Sequence, residues 1–391
     1  MRRAYFDYQA GSPVDPRVVE AMTPYFGTIF GNPSSTHCLG QESKAAIEEA
    51  RERVASLVKA RKKDEIVFTS GATESNNLAL LGIAQRNKEK GGTIVTTTIE
   101  HISILNICKY LAKQGFKVEL VPVDNHGLVN PTSIEKAISD NTVLVSITYA
   151  NGEIGTIEPI AEIGRIVHAH GAIFHVDATA AAGRIPIEAV RDNIDLLSLS
   201  SNDLYGPKGL GALYIKEGTR IAPIMIGGGQ ERGLRSGTEN VPAIVGMGKA
   251  AEIASQEMAD ESARLTRLRD RLHTGITEKI PYSYLNGHPT TRLPNNLNVR
   301  FSYIEGESLV LSLDMEGVAA SSGSACSSKT LEPSHVLRAI GLAHEEAHGS
   351  LLFSLGRWNT DDDVDQVLNV LPGIVSRLRR MSPLTPKGLQ V

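Results

Sequence analysis

The side chains with chemistry to offer gather in a few short segments. Ser200-Ser201-Asn202-Asp203-Leu204-Tyr205-Gly206-Pro207-Lys208-Gly209 turns between two strand-like runs, Asp195–Leu199 and Leu210–Ile215, and brings hydroxyls, an amide and a carboxylate to one bend. Gly71-Ala72-Thr73 opens a helix directly after a strand. Free backbone amides at a helix N-terminus, with a hydroxyl beside them, make a cradle for an anion; the same residues also read as a plain strand–helix turn with a hydroxyl N-cap. His101 ends the strand–turn Ile99-Glu100-His101, where an imidazole could stack on a flat ring or serve structure alone. Asp177 closes the apolar strand Ala172-Ile173-Phe174-His175-Val176. A carboxylate buried there needs a cation or a strong donor, unless it caps the next turn. Arg235-Ser236-Gly237-Thr238-Glu239-Asn240 follows the triplet Gly227-Gly228-Gly229 and suits an anion held by a neighbouring subunit.

Cys326 lies in Ser321-Ser322-Gly323-Ser324-Ala325-Cys326-Ser327-Ser328, small and polar, where exposure and mobility favour thiolate chemistry. The other reading is a small residue in a surface loop. Cys38 and Cys108 fall in or beside helix-like stretches and read as packing residues. His344-Glu345-Glu346-Ala347-His348 satisfies the His-Glu-x-x-His pattern that puts two imidazoles on one helical face, as in zinc hydrolases. Thr360-Asp361-Asp362-Asp363 reads as an N-cap with acids in the first helical turn.

The elements that must position these groups alternate. Helical spacing of Ala46, Ala50, Val54, Leu57 and Val58 precedes the strand Glu65–Thr69. Further strand-like runs fall at Thr93–Thr97, Lys117–Val121, Thr142–Tyr149, Ala172–Val176 and Asp195–Ser200, most of them separated by helical segments. That alternation predicts a mostly parallel sheet covered on both faces, with the ligand at the C-terminal ends of the strands. A long helix over Val241–Lys279 leads to a smaller α+β unit. We expect a large domain over 15–260 and a small one built from 1–14 and 261–391, the junction falling within 260–285.

Composition narrows the partners. With 391 residues, 41% hydrophobic and 21% charged, the chain can bury two cores and is not of a disordered type. A formal net charge of −4 gives no basic field for nucleic acid. No apolar run reaches the roughly 18 residues of a membrane span, and Met1–Asp7 lacks an apolar signal core. Three cysteines are too few for a disulfide framework, so a reducing cytoplasm is the expected setting.

Tyr5-Phe6-Asp7-Tyr8, Gly31-Asn32-Pro33-Ser34-Ser35, Ser70–Glu74, Glu100-His101, His175-Val176-Asp177-Ala178, Tyr205–Gly209, Arg235–Thr238, Pro294-Asn295-Asn296 and Gly323–Cys326 occur in the order of one family. The chain resembles the cysteine desulfurases of the iron–sulfur-assembly type, pyridoxal-phosphate (PLP) enzymes of the class-V aminotransferase kind, over essentially its whole length. The resemblance implies the fold-type I, aspartate-aminotransferase-like α/β architecture and a homodimer with two sites at its interface. It implies phosphate binding by Ala72, Thr73, Ser200 and Thr238, ring stacking by His101, and Asp177 opposite the pyridine nitrogen. Cys326 would accept sulfur as a persulfide.

This sequence departs from the family pattern at one place after another. Asn202 and Asp203 stand where a His-Lys pair precedes Tyr205–Gly209, and a carboxylate cannot form the Schiff base the lysine makes. Gly152 in Asn151-Gly152-Glu153-Ile154-Gly155 replaces an asparagine, and Ala180 in Asp177-Ala178-Thr179-Ala180 replaces a glutamine. Both side chains would reach the cofactor's ring oxygen. Leu352 in Leu351–Arg357 replaces the arginine that would grip a substrate carboxylate. The reading that follows is an iron–sulfur-assembly protein with a degenerate PLP site, holding any PLP non-covalently. It would present Cys326 to a scaffold protein as persulfide carrier or as ligand of a shared iron–sulfur cluster. The alternatives are an atypical but functional desulfurase using non-covalent PLP and, remotely, a zinc hydrolase through His344 and His348.

Overall fold

The computed structural model describes residues 3–89, 91–323 and 333–386. Its larger sheet has seven strands in the order Ile66–Thr69, Gly211–Ile215, Leu196–Ser200, Ile173–Asp177, Thr142–Thr148, Thr93–Thr97 and Lys117–Val121. Gly211–Ile215 runs antiparallel to both neighbours and the remaining pairings are parallel. All residues of Ile66–Thr69, Thr93–Thr97 and Gly211–Ile215 are buried, as a sheet covered on both faces requires. Lys117–Val121 lies at the edge and is more exposed, with a Lys117–Glu119 ion pair that makes the edge unattractive for further strand pairing. The strands and helices expected from hydrophobic periodicity are present, and the sheet is mostly parallel.

Parallel strands leave their C-terminal ends on one edge. The turns after Thr69, Thr97, Thr148, Asp177 and Ser200 therefore collect there, carrying Ala72, His101, Asn151, Asp177 and Asp203.

A three-stranded antiparallel sheet of Ser283–Asn286, Asn296–Phe301 and Ser350–Ser354 forms the second layer system. The helices Gly306–Met315 and Asp361–Met381 pack with it around Phe301, Leu309, Leu313, Phe353 and Leu371. Ala4 and Phe6 join that core from the start of the chain. The helix Val241–Lys279 spans both regions without a break. Val241–Ala254 contributes Ile244, Met247 and Ala251 to the core of the larger sheet, and Leu265, Leu268, Leu272 and Ile276 to the smaller core. The expected limit between residues 260 and 261 thus falls inside one continuous helix.

Candidate active site

A cavity of about 270 Å³ opens at the C-terminal edge of the parallel strands, walled by both regions. Ala72, His101, Asn151, Asp177 and Ala180 line it from the larger sheet, and Ser321, Gly323 and Leu352 from the smaller. The helix Ala72–Arg86 starts at this wall and no side chain caps its first turn. Among the described residues its leading amides are therefore left for an anion.

Asp177 is buried, and its partners are uncharged. Its Oδ2 accepts from Asn76 Nδ2 at 2.9 Å and its Oδ1 from the Thr179 N–H at 3.0 Å. Asn76 is itself positioned by the uncapped helix. His101 caps Ile102–Lys113 by accepting from the Ser103 N–H at 3.2 Å, and its ring stays exposed at the cavity. Both expectations for His101, structural and ring-facing, are thus compatible with one geometry.

Asp203 is buried just behind the lining. Burial pushes its carboxyl up to about 6, while Ser200, Arg184 and Asn202 pull it partly back and Asp177 adds repulsion. Asn202 Oδ1 accepts from the Ser12 N–H at 3.2 Å, tying this turn to the first residues of the chain. Lys208 does not line the cavity; its Nζ donates to the Ser12 carbonyl at 2.7 Å. No lysine or arginine is among the described residues that line the cavity.

Carboxylates crowd the same wall. Glu100 is fully buried, and its Oε1 accepts from Thr97 Oγ1 at 2.6 Å and the Thr148 N–H at 3.0 Å. Its Oε2 has no hydrogen-bond partner among the described residues, and burial pushes the carboxyl up to about 8. Glu153 behaves alike, pushed up to about 7 by burial, with Oε1 unpartnered among the described residues. Asp7 is raised by burial, and its Oδ1 likewise has no partner among the described residues. Leu352 adds an apolar face, its side chain 3% exposed.

The other expected residues divide. Ser200 ends its strand beside Asp203, half-buried, while Thr73 is exposed at the helix start. Thr238 is exposed and does not line this cavity. Arg235 is engaged by Glu74, Nε to Oε1 at 2.9 Å. Gly152 and Ala180 both reach the cavity wall. Cys326 lies outside the described residues, as do its neighbours over 324–332. Cys108 is buried, but Cys38 begins a helix and is exposed, so the packing role expected for Cys38 is corrected. The rings of His344 and His348 are 4.5 Å apart, yet among the described residues no third His, Cys, Asp or Glu joins them to hold a metal. Asp363 accepts from the Thr360 N–H at 2.8 Å, which makes Thr360–Asp363 a helix start.

The family model for class-V aminotransferases matches residues 4–367. The chain belongs to the class-V aminotransferase family. Within this family it is 60% identical to cysteine desulfurase IscS 1 of Archaeoglobus fulgidus over 380 residues, covering 97% of this chain and 99% of that one. It is 54% identical to cysteine desulfurase IscS of Methanosarcina thermophila, covering 99% of this chain and 95% of the relative. A solved NifS-like protein superimposes with a TM-score of 0.90 at 39% identity, covering 96% of this chain and all of that chain. The chain is thus a class-V aminotransferase of the cysteine desulfurase type, and PLP is the cofactor expected of it.

For a class-V aminotransferase, the site holds groups that sequence reasoning passed over. Asp7 and Gln9 reach the cavity because the chain start pairs with Ser354, through the bridge Asp7↔Ser354. His335 also lines it, its Nε2 donating to the Glu100 carbonyl at 2.9 Å. Asn76 could have been found from its place one helical turn after Thr73. The burial of Glu100 and Glu153 had no sequence signal.

Proposed function

We propose that this chain is an iron–sulfur-assembly member of the cysteine desulfurase family whose PLP pocket has lost its covalent anchor, and which presents Cys326 to a scaffold protein. The observation that carries the reading is Asp203, a buried carboxyl that feels the charge of Asp177, behind a cavity whose described lining residues include no lysine. A carboxyl cannot condense with an aldehyde to an imine, whatever its protonation state.

The residues present fit PLP held without a covalent link. The uncapped start of Ala72–Arg86, with Thr73 and Ser200, would receive the phosphate; His101 would face the ring and Asp177 the ring nitrogen. When bound, PLP supplies an electron sink for chemistry next to an amino group. Asp177 would hold positive charge at the ring nitrogen, since its oxygens accept only neutral donors. Asp203, with its carboxyl at about 6, would hold or release a proton at Oδ near neutral pH. Leu352 offers no charge to a substrate carboxylate, and no lysine or arginine among the described lining residues supplies one. Efficient turnover of free cysteine is therefore not what this pocket is built for.

Thr238, exposed and off this cavity, would serve the phosphate of the second subunit in a homodimer. Cys326 would carry sulfur as a persulfide or ligate iron of a cluster shared with the scaffold, since thiolate is a natural ligand for iron. A second reading, a functional desulfurase with non-covalent PLP, is favoured by the intact anion cradle. Alanine release from cysteine by PLP-loaded protein separates the two.

The deciding experiment uses a complex of the chain with an iron–sulfur scaffold protein. Cys326→Ser should leave folding and dimerisation intact yet abolish retention of iron and labile sulfide, while Cys38→Ser and Cys108→Ser retain both. Equal retention by Cys326→Ser and wild type would remove the sulfur-presenting role.

A further inference from the structure

Gly152 is small because Gln9 fills its side-chain space. A Cβ built on Gly152 would stand 2.6 Å from Gln9 Nε2, 2.8 Å from its Cδ and 3.2 Å from its Oε1, closer than packed atoms allow. The Gly152 backbone is not in the left-handed region, so glycine is not demanded there by conformation. Both backbones are held, so a side chain at 152 would have to turn the carboxamide end of Gln9 out of this space. The Gly152 carbonyl accepts from Asn296 Nδ2 at 2.7 Å, and the Gln9 N–H donates to Ser354 Oγ at 2.9 Å.

Gln9 lines the cavity, and its carboxamide makes no hydrogen bond to the described residues. The neighbouring amide of Asn151 is committed: its Nδ2 donates to the Ile99 carbonyl at 2.8 Å and its Oδ1 accepts from the Glu153 and Ile154 N–H groups. His335 is committed to Glu100 in the same way. On a wall otherwise set with the carboxyl groups of Asp7, Glu100, Glu153 and Asp177, Gln9 is the carboxamide with two N–H donors left over, whatever the protonation of its neighbours.

We propose that Gln9 is a ligand-positioning residue, donating from its carboxamide to the ring oxygen of bound PLP in the space a side chain at position 152 would otherwise occupy. The loss of an amide at 152 is then compensated from the opposite end of the chain. This inference rests on the proposed non-covalent PLP site.

The test is calorimetric titration of the dimeric protein, with its Cys326 intact, using PLP and the PLP analogue that lacks the ring hydroxyl. Gln9→Met keeps the length of the side chain and removes its donor. It should weaken PLP binding about three- to tenfold, the worth of one hydrogen bond, and leave the analogue unaffected. Gly152→Asn should turn the Gln9 carboxamide out of this space, so that Gln9→Ala no longer changes PLP affinity in the Gly152→Asn background, a coupling that independent sites would not show. Unchanged PLP affinity in Gln9→Met, equal affinity of wild type for PLP and analogue, or additive effects in the double variant would each overturn the proposal. Absence of PLP binding to wild type would overturn it too, while the sulfur-presenting role, read from iron and sulfide on the scaffold complex, would stand or fall separately.

Discussion

Leu352 and Ser321 exchange both backbone hydrogen bonds: the Leu352 N–H donates to the Ser321 carbonyl at 2.6 Å, and the Ser321 N–H to the Leu352 carbonyl at 3.2 Å. The residue that makes the cavity wall apolar is thereby joined to the segment that leads towards Cys326.

Leu352→Arg places a guanidinium at a buried position among carboxylates. We expect a loss of about 1–3 kcal/mol in denaturant unfolding, because Glu100, Glu153 and Asp7 offset only part of the cost of burying the charge. Asp203→Lys alone should give alanine at less than about a tenth of an ordinary desulfurase rate, because general acid–base and positioning contributions remain missing. The lysine would also sit against the buried Arg184. The two substitutions together should exceed the sum of their single effects; alanine release measures all three.

Borohydride treatment of PLP-loaded protein, followed by intact-mass analysis, should show no adduct of cofactor mass. A stable adduct on any lysine would contradict a pocket without a covalent anchor.

Stability should fall as pH rises from about 6.5 to 8. Glu100, Glu153 and Glu158 have folded-state carboxyls raised to about 8, 7 and 8 by burial, so in this window the native state holds protons that the unfolded chain has released. Ionising them in place costs stability. Below 6.5 the buried His175, lowered to about 4, opposes this, because the unfolded chain then binds the extra proton. His175 offsets only one of the three retained protons, so thermal unfolding across pH should show a decline that is shallower below about 6.5 and steepest just above it. Glu100→Gln should flatten it, and an unchanged slope in that variant would disprove the assignment.

Arg51 and Glu231 form a buried pair, Nη2 to Oε1 at 2.7 Å and Nη1 to Oε2 at 2.8 Å, with the Phe68 N–H also donating to Glu231 at 2.8 Å. Glu231→Gln leaves the buried guanidinium with only the part-exposed Glu48, 3.2 Å from its Nε, as counter-charge and should cost about 3 kcal/mol in chemical denaturation. Arg51→Met/Glu231→Leu should recover most of that loss.

The strands were readable because buried parallel strands are short runs rich in β-branched and apolar residues, as in Thr93–Thr97 and Ile173–Val176. The long helix Val241–Lys279 was readable from its periodicity and from its one proline, Pro242, falling in the first turn, where a helix tolerates it. Asp177 and His101 could be placed at the cavity because strand ends collect on one edge of such a sheet. Gln9 and Asp7 could not, since the pairing of the chain start with Ser354 joins residues more than three hundred positions apart. Cys38 was misjudged because helical context says nothing about which side of the first turn faces solvent. Gly152 looked like a loss in sequence, where a vacated side chain and a filled space cannot be told apart.

The helix Val241–Lys279, 39 residues long, extends about 58 Å and serves as floor to both cores. Swinging one region over the other would mean bending that rod or tearing Leu265, Leu268 and Leu272 from their seats. Both regions that wall the cavity thus ride on one rod, and any change in the distance between them has to be borne by that helix or by those seats.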